Sequence, residues 1–409
     1  MYTIAERDLK DVDIISSEFK ANPFDFYRRL RHEAPVFETT LGGKIPVWLV
    51  TRYEDVKAVM MDERFVKDQH NVDAKTAFEF AWMPSFLVDM QQNMLDSDGD
   101  DHTRLKNLVH KAFTPRRIKE MQTRIAELSQ DYFIRAKAKG EIDLIKDYAL
   151  PIPATVIAEI LGVPAEDMNK FHKWSSSMLQ SNFSSNLSLI KMMPSMMQLS
   201  GYIRKQIKIR RQNPKDDLLT ALIDAEEAGD SLSEGETVAM VVLLLIAGHE
   251  TTVNLIASGM ATLLQYPEQL EQLRANPEQM PSAIEELLRY TVPVETATER
   301  YAREDITLHD VTIPKGSLTL AALASANRDE TVFQNPDTLD ITRSPNRHLS
   351  FGHGIHYCLG APLARMEGAI AIQTLLDNAP NIQLAIPAEQ LEWRQGMVLR
   401  GLKKLPVLL

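Results

Sequence analysis

Phe351-Gly352-His353-Gly354-Ile355-His356-Tyr357-Cys358-Leu359-Gly360-Ala361-Pro362-Leu363-Ala364-Arg365 is the stretch on which the reading of this chain turns. Glycines at 352 and 354 keep its first half a loop, and a helical pattern begins near Leu359 and runs to about Asn378. Cys358, the single cysteine in 409 residues, stands at that junction. Helix N-termini carry free N–H groups and a partial positive charge, which favour a thiolate over a thiol. The glycines, with Gly360 just beyond, let backbone pass close to something flat and bulky because no Cβ intervenes. Phe351 is positioned to shield the sulfur from water. Taken alone, a lone cysteine reads as a small buried apolar residue; the pattern around it argues for a ligating one. With no second cysteine there is no internal disulfide, so a secreted disulfide framework is excluded.

Upstream, Ser233-Glu234-Gly235-Glu236 reads as a capping box that opens a helix reaching about Gln265. At about 1.5 Å per residue such a helix is roughly 45–50 Å long. Its middle, VAMVVLLLIAG, is apolar on every face, so the helix must run through a core. The apolar run Val238–Gly248 falls well short of the roughly 20 residues needed to span a bilayer. Within this helix lies Ala247-Gly248-His249-Glu250-Thr251-Thr252. A mid-helix glycine costs about 1 kcal/mol relative to alanine, so Gly248 needs a reason. Small side chains at Ala247 and Gly248 would leave room for a planar group and a diatomic ligand. The Thr251 hydroxyl can return to the carbonyl at 247 and loosen the helix there. An acid and two hydroxyls after ten apolar residues are expected to serve something inside.

The remaining pattern is mostly helical: from Asn22-Pro23 to about His32, then Pro115–Lys139, Leu218–Ala228, Pro267–Ala275 and Pro281–Tyr290. Strands are expected at Val36–Thr39 with Val47–Thr51. A second pair is expected at Ile306–Leu308, turning at Pro314-Lys315-Gly316 into Ser317–Leu323. The C-terminal MVLRGLKKLPVLL reads as a further hairpin. No repeat or long linker divides the chain, so residues 1–409 are expected to form one domain. The net charge of −11 argues against a nucleic-acid or anionic-membrane partner. The N-terminus lacks the apolar core of a signal peptide, which points to a cytoplasmic, soluble protein.

The motif F-x-x-G-x-H-x-C-x-G, filled by Phe351, Gly354, His356, Cys358 and Gly360, resembles the haem-binding loop of the cytochrome P450 family. Ala247–Thr251 is similar to that family's A/G-G-x-D/E-T motif, and Glu286-Leu287-Leu288-Arg289 to its E-x-x-R signature. The resemblance extends over essentially the whole chain. It implies a mainly α fold with a smaller β portion, with haem b between the long oxygen-binding helix and the cysteine-ligand helix. Cys358 would be the iron ligand, whose electron density favours O–O cleavage. Glu250 and Thr251 would deliver protons to the dioxygen being reduced. Glu286 and Arg289, with Arg343 or His348, would brace the cysteine side. His102, Lys106, Arg300 and His356 would face the haem propionates. Two departures stand out: Lys106 where the family has arginine, keeping the charge but losing the bidentate fork, and Asp310 where a turn glycine is usual.

The resemblance further implies O2 as cosubstrate and electrons from NAD(P)H through a ferredoxin or flavodoxin. Lys106, His110, Lys111, Arg116 and Arg117 form a basic cluster suited to docking such a partner. The substrate pocket is expected to be apolar. It would be lined by Phe86 and Leu87 from an aromatic loop, Met178 from a mobile lid, Leu243 and Ala247 from the long helix, and Val294, Thr296 and Met397. The family type resembled is the soluble bacterial one that hydroxylates or epoxidises polyketides, macrolides or fatty-acyl chains, free or tethered to a carrier protein. A monomer is expected. The alternatives are a peroxide-driven peroxygenase, a haem-based gas sensor without turnover, and a cysteine hydrolase using Cys358 and His356. The acid–alcohol pair speaks against the first, because peroxide brings its own protons. A gas sensor has no need of an apolar cavity or a relay.

Overall fold

The computed structural model describes residues 9–72, 92–110, 113, 115–167, 170, 174, 186–227 and 232–409. Its axis is the core helix Glu234–Gln265. Ser233 and Glu236 close the capping box in both directions, at 3.1 and 2.7 Å. The helix packs on Pro151–Ile160, Met280–Thr291 and the cysteine helix Ala361–Asn378. Length and composition alone would let it cross a bilayer. However, 72% of its most apolar window is buried inside the protein, as expected of a helix threaded through a core.

The other helices start and stop close to their sequence signals: Pro115–Lys137, Leu218–Glu227, Pro267–Ala275 and Met280–Thr291. Asn22 closes a short helix, Ser17–Ala21, and the next begins at Phe24. Val36–Leu41 and Ile45–Val50 pair antiparallel, with Val36 opposite Val50. They extend into a five-stranded sheet through Leu318–Ala321, Arg300–Ala302 and Phe65–Val66.

The expected hairpin across Pro314–Gly316 is corrected. Ile306–Leu308 pairs with Val311–Ile313, while Leu318–Ala321 joins the larger sheet, parallel to Ile45–Val50. The apolar residue Ile313 opposite Ile306 closes the small hairpin and leaves Leu318–Ala321 free to be buried on both faces. Its turn takes positive φ at His309 (53°), so Asp310 needs no glycine conformation. The C-terminal hairpin is corrected too: Pro406–Leu408 pairs with Glu141–Asp143 and Gln383–Leu384. Two apolar cores result, one around the core helix and one around the larger sheet.

A thiol, a proton-bearing helix and a basic rim around one cavity

The cysteine loop is shaped by close approach. Gly354 sits at φ +72°, and a Cβ there would lie 2.8 Å from the Met60 carbonyl. The Cys358 N–H donates to Phe351 O at 2.9 Å, and the helix proper begins at Ala361 after an N-cap at Gly360. Cys358 opens into a cavity of about 520 Å³. Its surface faces that cavity, so the sulfur is accessible yet enclosed by protein. Burial pushes the thiol up, while the N–H groups of Gly360 and Ala361 and the charges of Arg365 and Lys106 pull the other way. The Arg365 guanidinium lies 4.4 Å from the Phe351 ring centre and is held by Glu285 at 2.6 and 2.8 Å.

Behind the loop, Glu286 and Arg289 are fully buried and bonded at 2.8 Å. Glu286 also accepts from Arg343 Nε (3.1 Å), Asn346 (3.0 Å) and the Asp340 N–H (2.9 Å). Arg289 spends its remaining donors on the carbonyls of Asn327 (2.9 Å), Pro336 (2.8 Å) and Thr338 (3.2 Å). Asn327 in turn bonds Leu349 N–H and Ser350 Oγ, the residues leading into Phe351. Of the two candidates for this brace, Arg343 joins it. His348 bonds Glu285 at 3.1 Å instead. Against the upward pull of burial, Arg365 and His348 hold the Glu285 carboxyl down at about 2.

From the core helix, Ala247, Glu250 and Thr251 reach the cavity. Thr251 Oγ1 donates to Ala247 O at 3.2 Å. Glu250 is 7% exposed, and burial pushes its carboxyl up to about 7 despite Arg394. Arg394 Nη1 lies 3.2 Å from Glu250 Oε1, and its own side chain is 24% exposed. Gly248 has a second reason beyond the expected one. Gly248 lines the cavity, and a Cβ there would also stand 2.9 Å from Ile157 Cγ1, so its smallness serves the crossing with Pro151–Ile160 as well. One turn of the cysteine helix brings Glu367 to the same cavity, fully enclosed, its carboxyl raised to about 8 by burial.

The opposite rim is basic. His102, Lys106, Arg300 and His356 all line it, and the rings of His102 and His356 stand 4.3 Å apart. Burial, then the nearby Lys67, His102, Arg300 and Lys106, hold His356 down at about 2. His102 Nδ1 is buried without a partner among the described residues. Lys106 lines the same rim, where its ammonium donates to the carbonyl of Ile355, with Tyr357 O at 3.5 Å. Lys67, which sequence reasoning missed, is 6% exposed and donates to Thr298 Oγ1 and Glu299 O.

Leu243 and Val294 line the apolar wall as expected, with Pro293, Ala297, Val398 and Leu399. Thr296 and Met397 do not belong to the described wall. Thr296 Oγ1 donates to Met397 O at 3.1 Å, which turns that pair onto each other and leaves the neighbours Val398 and Leu399 to face inward. Phe86, Leu87, Met178 and Lys111 lie outside the described residues, as do Phe78–Met83, and the Arg117 side chain is not described.

A thiol at a helix N-terminus, an apolar cavity and a rim of bases with an orphaned imidazole nitrogen fit a flat, largely apolar group bearing carboxylates on one edge. Haem b is such a group. The arrangement defines an oxygen-activating haem-thiolate enzyme. The family model described as Cytochrome P450 matches residues 13–379, and the chain belongs to that family. It is 42% identical over 393 residues to polyketide biosynthesis cytochrome P450 PksS of Bacillus subtilis, covering 95% of this chain and 96% of that protein. The solved PksS structure superposes with a TM-score of 0.88. Cytochrome P450 monooxygenase PikC of Streptomyces venezuelae is 39% identical, covering 99% and 95% of the two chains. P450BioI, solved with a hexadecenoyl-bearing acyl carrier protein, is 39% identical over 96% of this chain and 100% of its own, with a TM-score of 0.87. The chain is thus a cytochrome P450 monooxygenase that uses haem b, O2 and electrons from NAD(P)H passed through redox partners.

Proposed function

We propose that this enzyme hydroxylates or epoxidises an apolar polyketide, macrolide or fatty-acyl chain, and that residues 1–409 act as one catalytic domain. The observation that carries this reading is the enclosed apolar wall of Leu243, Val294, Val398 and Leu399 facing the thiol across the cavity. The relatives' names support it: PksS is named for polyketide biosynthesis, another relative is a mycinamicin IV hydroxylase/epoxidase, and P450BioI was solved with a carrier-bound fatty acyl chain. Bound haem supplies activation of O2 and insertion of one oxygen atom into a C–H bond or alkene.

The chain's own residues take the following parts. Cys358 holds the iron, its negative charge supported by two N–H groups and by Arg365. Thr251, tethered to Ala247 O, would hold and pass on a proton at its hydroxyl. Glu250 reloads it, and Arg394 links Glu250 to solvent. His102, Arg300 and His356 receive the haem carboxylates, and Glu286, Arg289 and Arg343 keep the loop in place. On the cysteine side, the exposed Ile355 and Tyr357 adjoin Lys106 and the exposed Met61 lies near Gly354 of the same loop, with His110 and Arg116 exposed farther along the chain. This apolar and basic mixture suits an acidic ferredoxin or flavodoxin. We take the protein to be a cytoplasmic monomer.

The test is titration of the purified holoprotein with hexadecenoic acid, its carrier-bound thioester and a macrolide, following the haem spectrum. A low-to-high-spin shift with one of these, and an oxygenated product from it, is expected. No shift with any of them would refute the substrate class.

A further inference from the structure

The apolar wall has a polar reverse side. Val294 and Leu399 form an antiparallel bridge. Around it the Glu295 N–H donates to Val398 O at 2.7 Å and the Arg400 N–H to Pro293 O at 3.0 Å. On extended backbone successive side chains point to opposite faces. Val294 and Leu399 line the cavity, whereas their neighbours Glu295 and Arg400 are buried behind it. There they meet the two N-terminal helices, Ser17–Ala21 and Phe24–Glu33. The buried Lys20 ammonium pairs with Glu295 Oε2 at 2.9 Å, and the Tyr27 hydroxyl donates to Oε1 at 2.7 Å. Arg400 donates to the carbonyls of Lys20 at 2.8 Å and Thr291 at 2.9 Å, with its guanidinium 3.8 Å from the Trp393 ring centre. Burial pulls the Lys20 ammonium down, and Glu295 is the main charge acting against that pull. A buried ion pair is a weak source of net stability, because desolvation offsets its attraction. What this one does impose is a fixed distance between the first helix and the back of the wall.

We propose that Lys20, Tyr27 and Glu295 are positioning residues for the reaction: with Arg400 they hold Val294 and Leu399 from behind, and so set which shapes the cavity accepts without touching the substrate. The N-terminal helices thereby become part of the device that selects substrate. This inference rests on the reading of that wall as the substrate face.

The test uses the holoprotein, its Lys20→Met, Glu295→Gln and Tyr27→Phe variants, and the double variant Lys20→Met/Glu295→Gln. Each is titrated with imidazole and with 4-phenylimidazole, following the ferric haem spectrum. Imidazole needs room only at the iron, whereas the rigid second ring of 4-phenylimidazole has to fit against the wall. Each charge variant leaves one partner buried and unpaired. In both, 4-phenylimidazole should bind about ten-fold more weakly, the low end for a one-methylene misfit in an apolar pocket, with imidazole affinity nearly unchanged. The double variant removes both charges, keeps an acceptor for Tyr27, and should recover most of the loss. Lower thermal stability by itself does not alter the ratio of the two affinities. Charge variants with the wild-type ratio would therefore overturn the proposal, as would a double variant no better than either single one. If the charge variants do not fold, Tyr27→Phe removes only the 2.7 Å bond and should still weaken 4-phenylimidazole relative to imidazole; an unchanged ratio there would overturn the proposal. Wild-type protein that binds 4-phenylimidazole no more tightly than imidazole would refute the reading of this wall as the substrate face, whatever the variants show.

Discussion

Replacing Arg394 with methionine should move the pH dependence of coupled turnover without moving its chemistry. Glu250 is enclosed on the core helix, and burial already pushes its carboxyl from 4.5 to about 7. That displacement corresponds to a cost of about 3 kcal/mol on the ionised form. The Arg394 guanidinium at 3.2 Å is the ion pair that offsets part of the cost. An opposite charge this close lowers a carboxyl by about 1–3 pH units, and the partial exposure of Arg394 places its effect near the lower end. Without it, Glu250 should titrate near 8, about one pH unit higher. The sign follows from the role. A proton donor works in its protonated form, so product formed per NAD(P)H should decline as pH rises through about 7 in the wild type. In Arg394→Met the same decline should occur about one pH unit higher, whatever happens to its amplitude. Glu250→Gln should abolish it. The assay is product and NAD(P)H consumption across pH with one substrate and one redox partner. A decline at the wild-type position in Arg394→Met, or its survival in Glu250→Gln, would refute the argument. Stability carries the same sign: the folded protein keeps a proton that the unfolded chain has released, so stability falls as pH rises from 4.5 to about 7.

Three further outcomes are expected. Thr251→Ala should consume reducing equivalents without matching product, and tight coupling in that variant would exclude Thr251 from proton delivery. Glu286→Gln, which leaves the buried Arg289 facing a neutral partner, should destabilise the holoprotein by about 3–5 kcal/mol in denaturant titrations; a change below about 1 kcal/mol would mean that the brace carries little energy. Gly248→Ala should cost about 1–3 kcal/mol by overpacking against Ile157, and Ile157→Ala in the same chain should recover much of it. An equal cost in both backgrounds would place the strain elsewhere.

The parts of the site that lie within one short segment were legible in the sequence. The cysteine loop, the capping box at Ser233 and the return of Thr251 to Ala247 depend on neighbours a few residues away, and local patterns encode such neighbours. What escaped depends on contacts between distant segments. Nothing near position 394 announces that Arg394 will meet Glu250, and Lys67 looks like any lysine after a strand until Thr298 and Glu299 fold over it. Gly248 was noticed for the right anomaly, but its packing against Ile157 was not legible, because Ile157 lies almost a hundred residues upstream. The misread hairpin has the same origin. Val311–Ile313 and Ser317–Leu323 are both strand-like, and only burial in the larger sheet decides which of them pairs with Ile306–Leu308. Thr296 and Met397 show the finest grain of the problem, since one cross-loop hydrogen bond exchanges which neighbours face the cavity.

The brace and the wall are built from different stretches of chain. Glu286 draws its partners from residues 289–346, whereas the apolar wall is contributed by the core helix, the segment 293–297 and the turn at 398–399. Diversity can therefore accumulate on one without loosening the other. A library randomised at Leu243, Val294, Val398 and Leu399 leaves every bond to Glu286 intact, so its members should load haem alike while their product profiles diverge. Catalyst and selector are inherited separately within one polypeptide, which gives lineages built on this plan freedom to change what they oxidise while keeping how they oxidise it.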